Sequence, residues 1–140
     1  MRIVLDTNVV LSALLWRGTP YALLQAIRQH QHAQLFASPV LLEELGEILT
    51  RPAAARRLAL IDRAAHEVLV DYYDAVEIVT PLSTPSVVAA DPDDDHVVAA
   101  AVAAGADLLI SGDRHLLALG AHANIRIVSP AEAIRILDRR

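Results

Sequence analysis

The chain has no cysteine. Structural disulfides and thiolate metal sites are therefore excluded. It has no lysine either: all 12 basic residues are arginine, a bias most simply ascribed to the source genome. Its six histidines show no zinc-like pairing. His30 and His32 are two residues apart and cannot share a helix face. No stretch is long and uncharged enough to span a membrane. The N-terminal apolar run is short and broken by Asp6, and it lacks the core and cleavage site of a signal peptide. A soluble cytoplasmic protein is expected. The formal net charge of -5 argues against broad, non-specific nucleic-acid binding. It leaves room for a local basic edge beside an acidic site. What the chain does have is apolar substance. At 140 residues and 54% hydrophobic it is expected to form a single domain, residues 1–140, with a substantial core.

Read in order, strands alternate with helices. Arg2 to Leu5 reads as a buried strand, followed at once by a helix over Val9 to Trp16 that Thr7 or Asn8 can cap. Gly18-Thr19-Pro20 breaks it, and a second helix runs from Tyr21 to about His30. Leu35 to Ala37 is a strand. Ser38-Pro39 opens a third helix by N-cap and first-position proline, and that helix stops before Arg51-Pro52. Ala53 to Leu60 is helical, and Asp62 caps another helix to about Asp74. Glu77 to Val79 is a strand and Thr80 to Ala90 a loop. A helix opened by Asp91-Pro92 leads to a strand over Leu108 to Ser111. A short helix carries Leu116 and Leu117. A last strand, Ile125 to Val128, precedes a helix opened by Ser129-Pro130. This alternation predicts an α/β fold: a three-layer α/β/α sandwich around a mainly parallel sheet. Trp16 and the Leu14-Leu15 pair are expected in its core, with a dimer surface as the alternative reading.

The densest chemistry lies between Asp91 and Asp113. Asp91, Asp93, Asp94 and Asp95 crowd one helix end. One or two acids complement a helix N-terminus; four within five residues repel one another unless something positive sits among them. At roughly 100° per residue, Asp94 falls on the azimuth of Val97 and Val98, toward the protein body. Asp93 and Asp95 fall to either side and are expected to face water. A solvated, well-capped helix end is the competing reading.

In open α/β sheets, sites lie beyond the carboxyl ends of the strands. Asp6 follows the first strand and Asp113 follows the fourth. On the third helix, Glu44 lies at the core boundary while Glu43 and Glu47 point away, so Glu44 can lean toward the same cleft. An ordinary solvated helix acid is the alternative. Convergence of Asp6, Glu44, Asp94 and Asp113 would demand a cation, and such oxygen donors suit Mg²⁺ or Mn²⁺. Such an ion activates water and stabilises in-line displacement at phosphorus. Thr7, Asn8 and Ser111 stand beside these acids, where they can orient ligands or water, or serve as caps and turn formers.

The run Leu5-Asp6-Thr7-Asn8, then Leu41-Leu42-Glu43-Glu44-Leu45, then Asp91-Pro92-Asp93-Asp94-Asp95, then Ser111-Gly112-Asp113-Arg114-His115-Leu116-Leu117 resembles a PIN domain. It is most similar to the VapC-like toxins of bacterial toxin–antitoxin pairs. Each motif alone is weak; the four in this order are specific, and they extend from Ile3 to about Ala133. The resemblance implies a Mg²⁺- or Mn²⁺-dependent ribonuclease with RNA as substrate, a homodimer, and a cognate antitoxin as partner. It maps the family's acids onto Asp6, Glu44, Asp94 and Asp113, with Asp91 as an accessory acid. Ser111 stands where the family often has threonine and keeps the hydroxyl. Arg51, Arg56 and Arg57, with Arg63, lie close in sequence to Glu44 and are candidates to hold RNA phosphates. Solvated arginine on an Ala-rich helix is the other reading.

Two other functions compete. An aspartyl phosphatase of the haloacid-dehalogenase kind also carries Asp after its first strand. It needs a second Asp two residues on, where this chain has Asn8, and a lysine, which this chain lacks. A PIN-fold module that binds RNA or protein without cleaving is the non-enzymatic alternative, and retention of all four acids argues against it.

Overall fold

The computed structural model describes residues 1–84 and 92–139. The expected cap Asp91 and part of the expected loop after Thr80 lie outside the described residues. Six strands form one sheet: β1 (Arg2–Leu5), β2 (Gln34–Ala37), β3 (Val76–Ile78), β4 (Leu108–Ile110), β5 (Ala121–His122) and β6 (Ile125–Val128). Their order is β3-β2-β1-β4-β6-β5. All neighbours are parallel except β5, which pairs antiparallel with β6. Eight helices occur among the described residues: α1 (Thr7–Leu15), α2 (Thr19–Gln29), α3 (Pro39–Ile48), α4 (Pro52–Leu60), α5 (Ala65–Ala75), α6 (Pro92–Ala104), α7 (Arg114–Leu119) and α8 (Pro130–Asp138). No helix among the described residues is long and apolar enough to cross a membrane.

The strand sequences explain the layers. Successive side chains leave opposite faces of a strand. Ile3 and Leu5 of β1 join one core with Leu35, Leu108, Ile110 and the inward faces of α1, α2, α5 and α8. Val4, between them, joins a second core with Phe36, Leu109, Ile127 and the apolar residues of α6. Both faces are covered at the centre of the sheet, so β4 and β1 beyond Arg2 are continuous apolar runs, whereas β3 and β6 carry Glu77 and Arg126. This is the expected α/β/α sandwich.

Local departures have physical causes. The residue capping α1 is Asp6; Thr7 and Asn8, expected as caps, are already helical. Asp62 does not cap α5. It takes a left-handed φ of 54°, which aspartate tolerates, and the helix starts after Ala64, whose N–H donates to the Glu67 carboxylate at 3.0 Å. The strand β5 is two residues long and escapes a reading based on periodicity. Trp16, expected in the core, is 41% exposed, with the Arg57 guanidinium 5.8 Å from its ring centre. The helix ends at Leu15, which takes the buried position instead.

Candidate active site

Sheet register builds the site. Leu5 pairs with Ile110, and the Asp6 N–H donates to the Ile110 carbonyl at 2.9 Å. The chain segments leaving β1 and β4 therefore stand side by side at the carboxyl edge. There the Ser111 hydroxyl donates to Asp6 Oδ2 at 2.7 Å and accepts the Asp113 N–H at 2.9 Å. One fully buried hydroxyl thus ties the acid after the first strand to the turn that carries the acid after the fourth. Asp6 occupies the N-cap position of α1 without using its side chain to cap it, so its carboxylate stays directed toward Ser111.

Asp113 caps α7: its Oδ1 accepts the N–H groups of His115 at 2.7 Å and Leu116 at 3.2 Å. It also shares a hydrogen bond with Asp94, the third residue of α6. Burial tends to raise the Asp113 pKa. The N–H groups of Leu116 and His115, the Asp94 contact and the nearby His115 ring outweigh it, so the carboxyl sits below its ordinary value. Three of the four acids predicted from the sequence thus lie in the first turn or cap of a helix: Asp6 on α1, Asp94 on α6, Asp113 on α7. Each helix N-terminus presents partial positive charge, which offsets some of the mutual repulsion.

The cavity at this edge measures about 490 Å³. Asp6, Glu44, Asp94 and Asp113 all line it, together with Asn8, Glu43, Glu47, Arg51 and His96. Asp6 and Asp94 are only 5% and 6% exposed. Glu44 is half-buried, between the exposed Glu43 and Glu47, as its helical phase predicts. The tightest group of donor atoms among the described residues is Asp94, Asp113 and His115, all within 4.8 Å of one another. Asp6 and Glu44 face the same cavity from outside that group. Thr7 is buried and borders a small internal cavity with Leu5, Val10 and Tyr72. Its Oγ1 has no hydrogen-bond partner among the described residues.

Some residues fall elsewhere than expected. Asp95, expected to face water, is 6% exposed. It lies one turn before the buried Ala99, and α6 is buried continuously from Val97 to Ala101. The helix is therefore enclosed well beyond a single stripe, and helical phase alone cannot separate Asp95 from Asp94. The three arginines of the expected RNA edge diverge. Arg51 lines the acidic cavity, Arg56 is exposed, and Arg57 turns back to donate to the Leu15 carbonyl at 2.7 Å. His115 joins the donor group although the sequence motifs do not single it out. Its position two residues beyond Asp113 is the available signal, because the first turn of a helix after a cap brings such side chains back beside it.

The donor set fits a divalent cation. Two carboxylates in direct contact cannot both remain ionised without a proton or a cation between them. Hard oxygen donors of this kind are those used by Mg²⁺ and Mn²⁺.

The sequence profile of the PIN domain matches residues 2–115. The chain belongs to the PIN-domain family. The matched span of this PIN domain contains Asp6, Glu44, Asp94 and Asp113. Among curated proteins none matches it. Among solved structures, it is similar to a chain of the crystal structure of VapBC2 from Rickettsia felis bound to a DNA fragment from their promoter. The TM-score is 0.62 at 14% identity, over 92% of this chain and 98% of that one. At that identity the likeness establishes the fold of the PIN domain.

Proposed function

We propose that this PIN domain is a Mg²⁺- or Mn²⁺-dependent endoribonuclease, with Asp6, Glu44, Asp94 and Asp113 as its catalytic and metal-binding acids. The observation that carries the reading is the direct contact of Asp94 with Asp113 in a cavity lined by six carboxylates and one arginine. Such a cavity repels a polyanion unless cations occupy it. A divalent ion held there supplies a water of lowered pKa and neutralises charge developing at phosphorus. The chain's own residues hold and orient. Ser111 fixes the rotamer of Asp6, the α7 cap fixes Asp113, and Asn8 at the cavity wall can position a bound water. Asp91 is the accessory acid of this reading. Arg51, already at the cavity, is the best placed of the three arginines to meet an RNA phosphate; Arg56 and Arg57 would contribute farther along the strand.

The likeness to a VapBC2 chain and the family motifs support a cytoplasmic toxin of a type II toxin–antitoxin pair, working as a homodimer with a protein antitoxin as partner. Exposed apolar side chains at Leu60, Val70, Tyr73 and Ile78 give such partners surface to cover.

Reaction type tests the proposal. Attack by a metal-activated water requires no 2′-hydroxyl nucleophile. Cleaved RNA should carry 5′-phosphate and 3′-hydroxyl ends, and EDTA should stop the reaction. Cleavage that persists in EDTA and leaves 2′,3′-cyclic phosphates would overturn the carboxylate–metal mechanism.

A further inference from the structure

We propose that the His115 imidazole is a nitrogen donor of this metal site, through Nδ1, and biases the site toward Mn²⁺ over Mg²⁺. The inference rests on the metal-dependent reading above and adds a ligand that the four acids do not include.

Three observations carry it. First, His115 stands at the second position of α7, where its own N–H is held by Asp113 Oδ1 at 2.7 Å. The cap that positions the carboxylate therefore also positions the base of the imidazole. Second, Nδ1 is buried and has no hydrogen-bond partner among the described residues, although the side chain as a whole is 41% exposed. A buried ring nitrogen without a partner calls for an explanation, and an absent ion is one of the recognised ones. Third, Nδ1 lies 3.6 Å from Asp113 Oδ1, and donor atoms of Asp94, Asp113 and His115 fall within 4.8 Å of one another. The 3.6 Å separation is too long for a hydrogen bond. It suits two ligands of one ion: atoms each about 2.1 Å from a six-coordinate cation stand roughly 3.0 to 4.2 Å apart. His96 is the histidine that lines the cavity itself, yet it does not belong to this donor group, which His115 joins from beside Asp113.

The consequence is selectivity. Carboxylate and water oxygens serve Mg²⁺ and Mn²⁺ alike, whereas imidazole favours transition ions over Mg²⁺. An all-carboxylate site would discriminate little between the two; a site with one imidazole nitrogen favours Mn²⁺.

The test is pulsed electron paramagnetic resonance of the full chain loaded with less than one equivalent of Mn²⁺. The wild type should show ¹⁴N modulation from one directly bound imidazole. The modulation should vanish in His115→Gln and persist in His96→Gln. Mn²⁺ affinity should fall about 10-fold or more in His115→Gln, while Mg²⁺ affinity, measured by competition, should change by less than about 2-fold because oxygen donors dominate it. Mn²⁺ bound at the site without ¹⁴N modulation would overturn the His115 assignment and leave the metal-dependent reading standing. Modulation lost in His96→Gln and kept in His115→Gln would likewise overturn it. No Mn²⁺ binding at all would overturn both.

Discussion

At the scale of single residues, Ser111 and Asp113 show how little separates a structural group from a functional one here. The Ser111 hydroxyl accepts a backbone N–H and donates to Asp6, so it closes the turn and orients an acid in the same act. Asp113 caps a helix with one oxygen while its carboxyl meets Asp94. Its lowered pKa has a direct consequence for stability. A carboxyl whose folded value lies below its unfolded value stabilises the native state above the unfolded value, and that contribution is lost as pH falls through the lowered one. Asp113→Asn keeps a capping oxygen but does not titrate. In EDTA, the acid limb of its melting temperature against pH should be shallower than the wild type's below about pH 4. Parallel acid limbs would show that Asp113 is not held in its charged form by the cap. None of this coupling can be seen in the sequence. Asp113 is legible as an acid after a strand, but its contact with Asp94 depends on where α6 begins.

At the scale of elements, α6 is where sequence and structure diverge most usefully. The phase of its apolar residues picks Asp94 as inward, and Asp94 does line the cavity. The same phase leaves Asp95 in water, yet Asp95 is buried, because the helix is enclosed through five consecutive residues from Val97 to Ala101. Periodicity locates the inward stripe of a helix packed on one side; it says less about a helix surrounded on several. The two acids should therefore separate by measurement and not by exposure. Asp94→Asn should abolish the rise in melting temperature on adding Mn²⁺. Asp95→Asn should lower stability of the metal-free protein by about 1–3 kcal/mol, as expected for disturbing a buried polar group, and keep the metal-induced rise. Loss of that rise in Asp95→Asn would bring Asp95 into the site. The arginines at and within α4 make a similar point. Spacing groups Arg51 with Arg57, but Arg51 is the extended N-cap residue of α4 and Arg57 lies in its last turn, so the two meet different surroundings. Only Arg51 reaches the acidic cavity, while Arg57 is bound to the end of α1.

At the scale of the whole molecule, most of the architecture was legible. Uninterrupted apolar strands such as Ile3-Val4-Leu5 imply a sheet covered on both faces, and proline after serine at Ser38 and Ser129 marks helix starts that the structure has at those positions. The carboxyl-edge rule then places Asp6 and Asp113 together, since β1 and β4 are neighbours at the centre of the sheet. Short-range packing was not legible. Trp16 lies just past a helix end and stays exposed, and β5 has too few residues to show a period. What the fold accomplishes is to bring three helix N-termini and one helix flank to a single acidic cavity in a chain of net charge -5. The most direct test of its purpose is a crystal of the protein soaked in Mn²⁺ and measured at the manganese absorption edge. Anomalous density should appear in the cavity between Asp6, Glu44, Asp94 and Asp113, bonded directly to Asp94 and Asp113, and should vanish in Asp94→Asn crystals. An empty cavity at saturating Mn²⁺, or density confined to another part of the surface, would contradict a metal-dependent nuclease built on these acids.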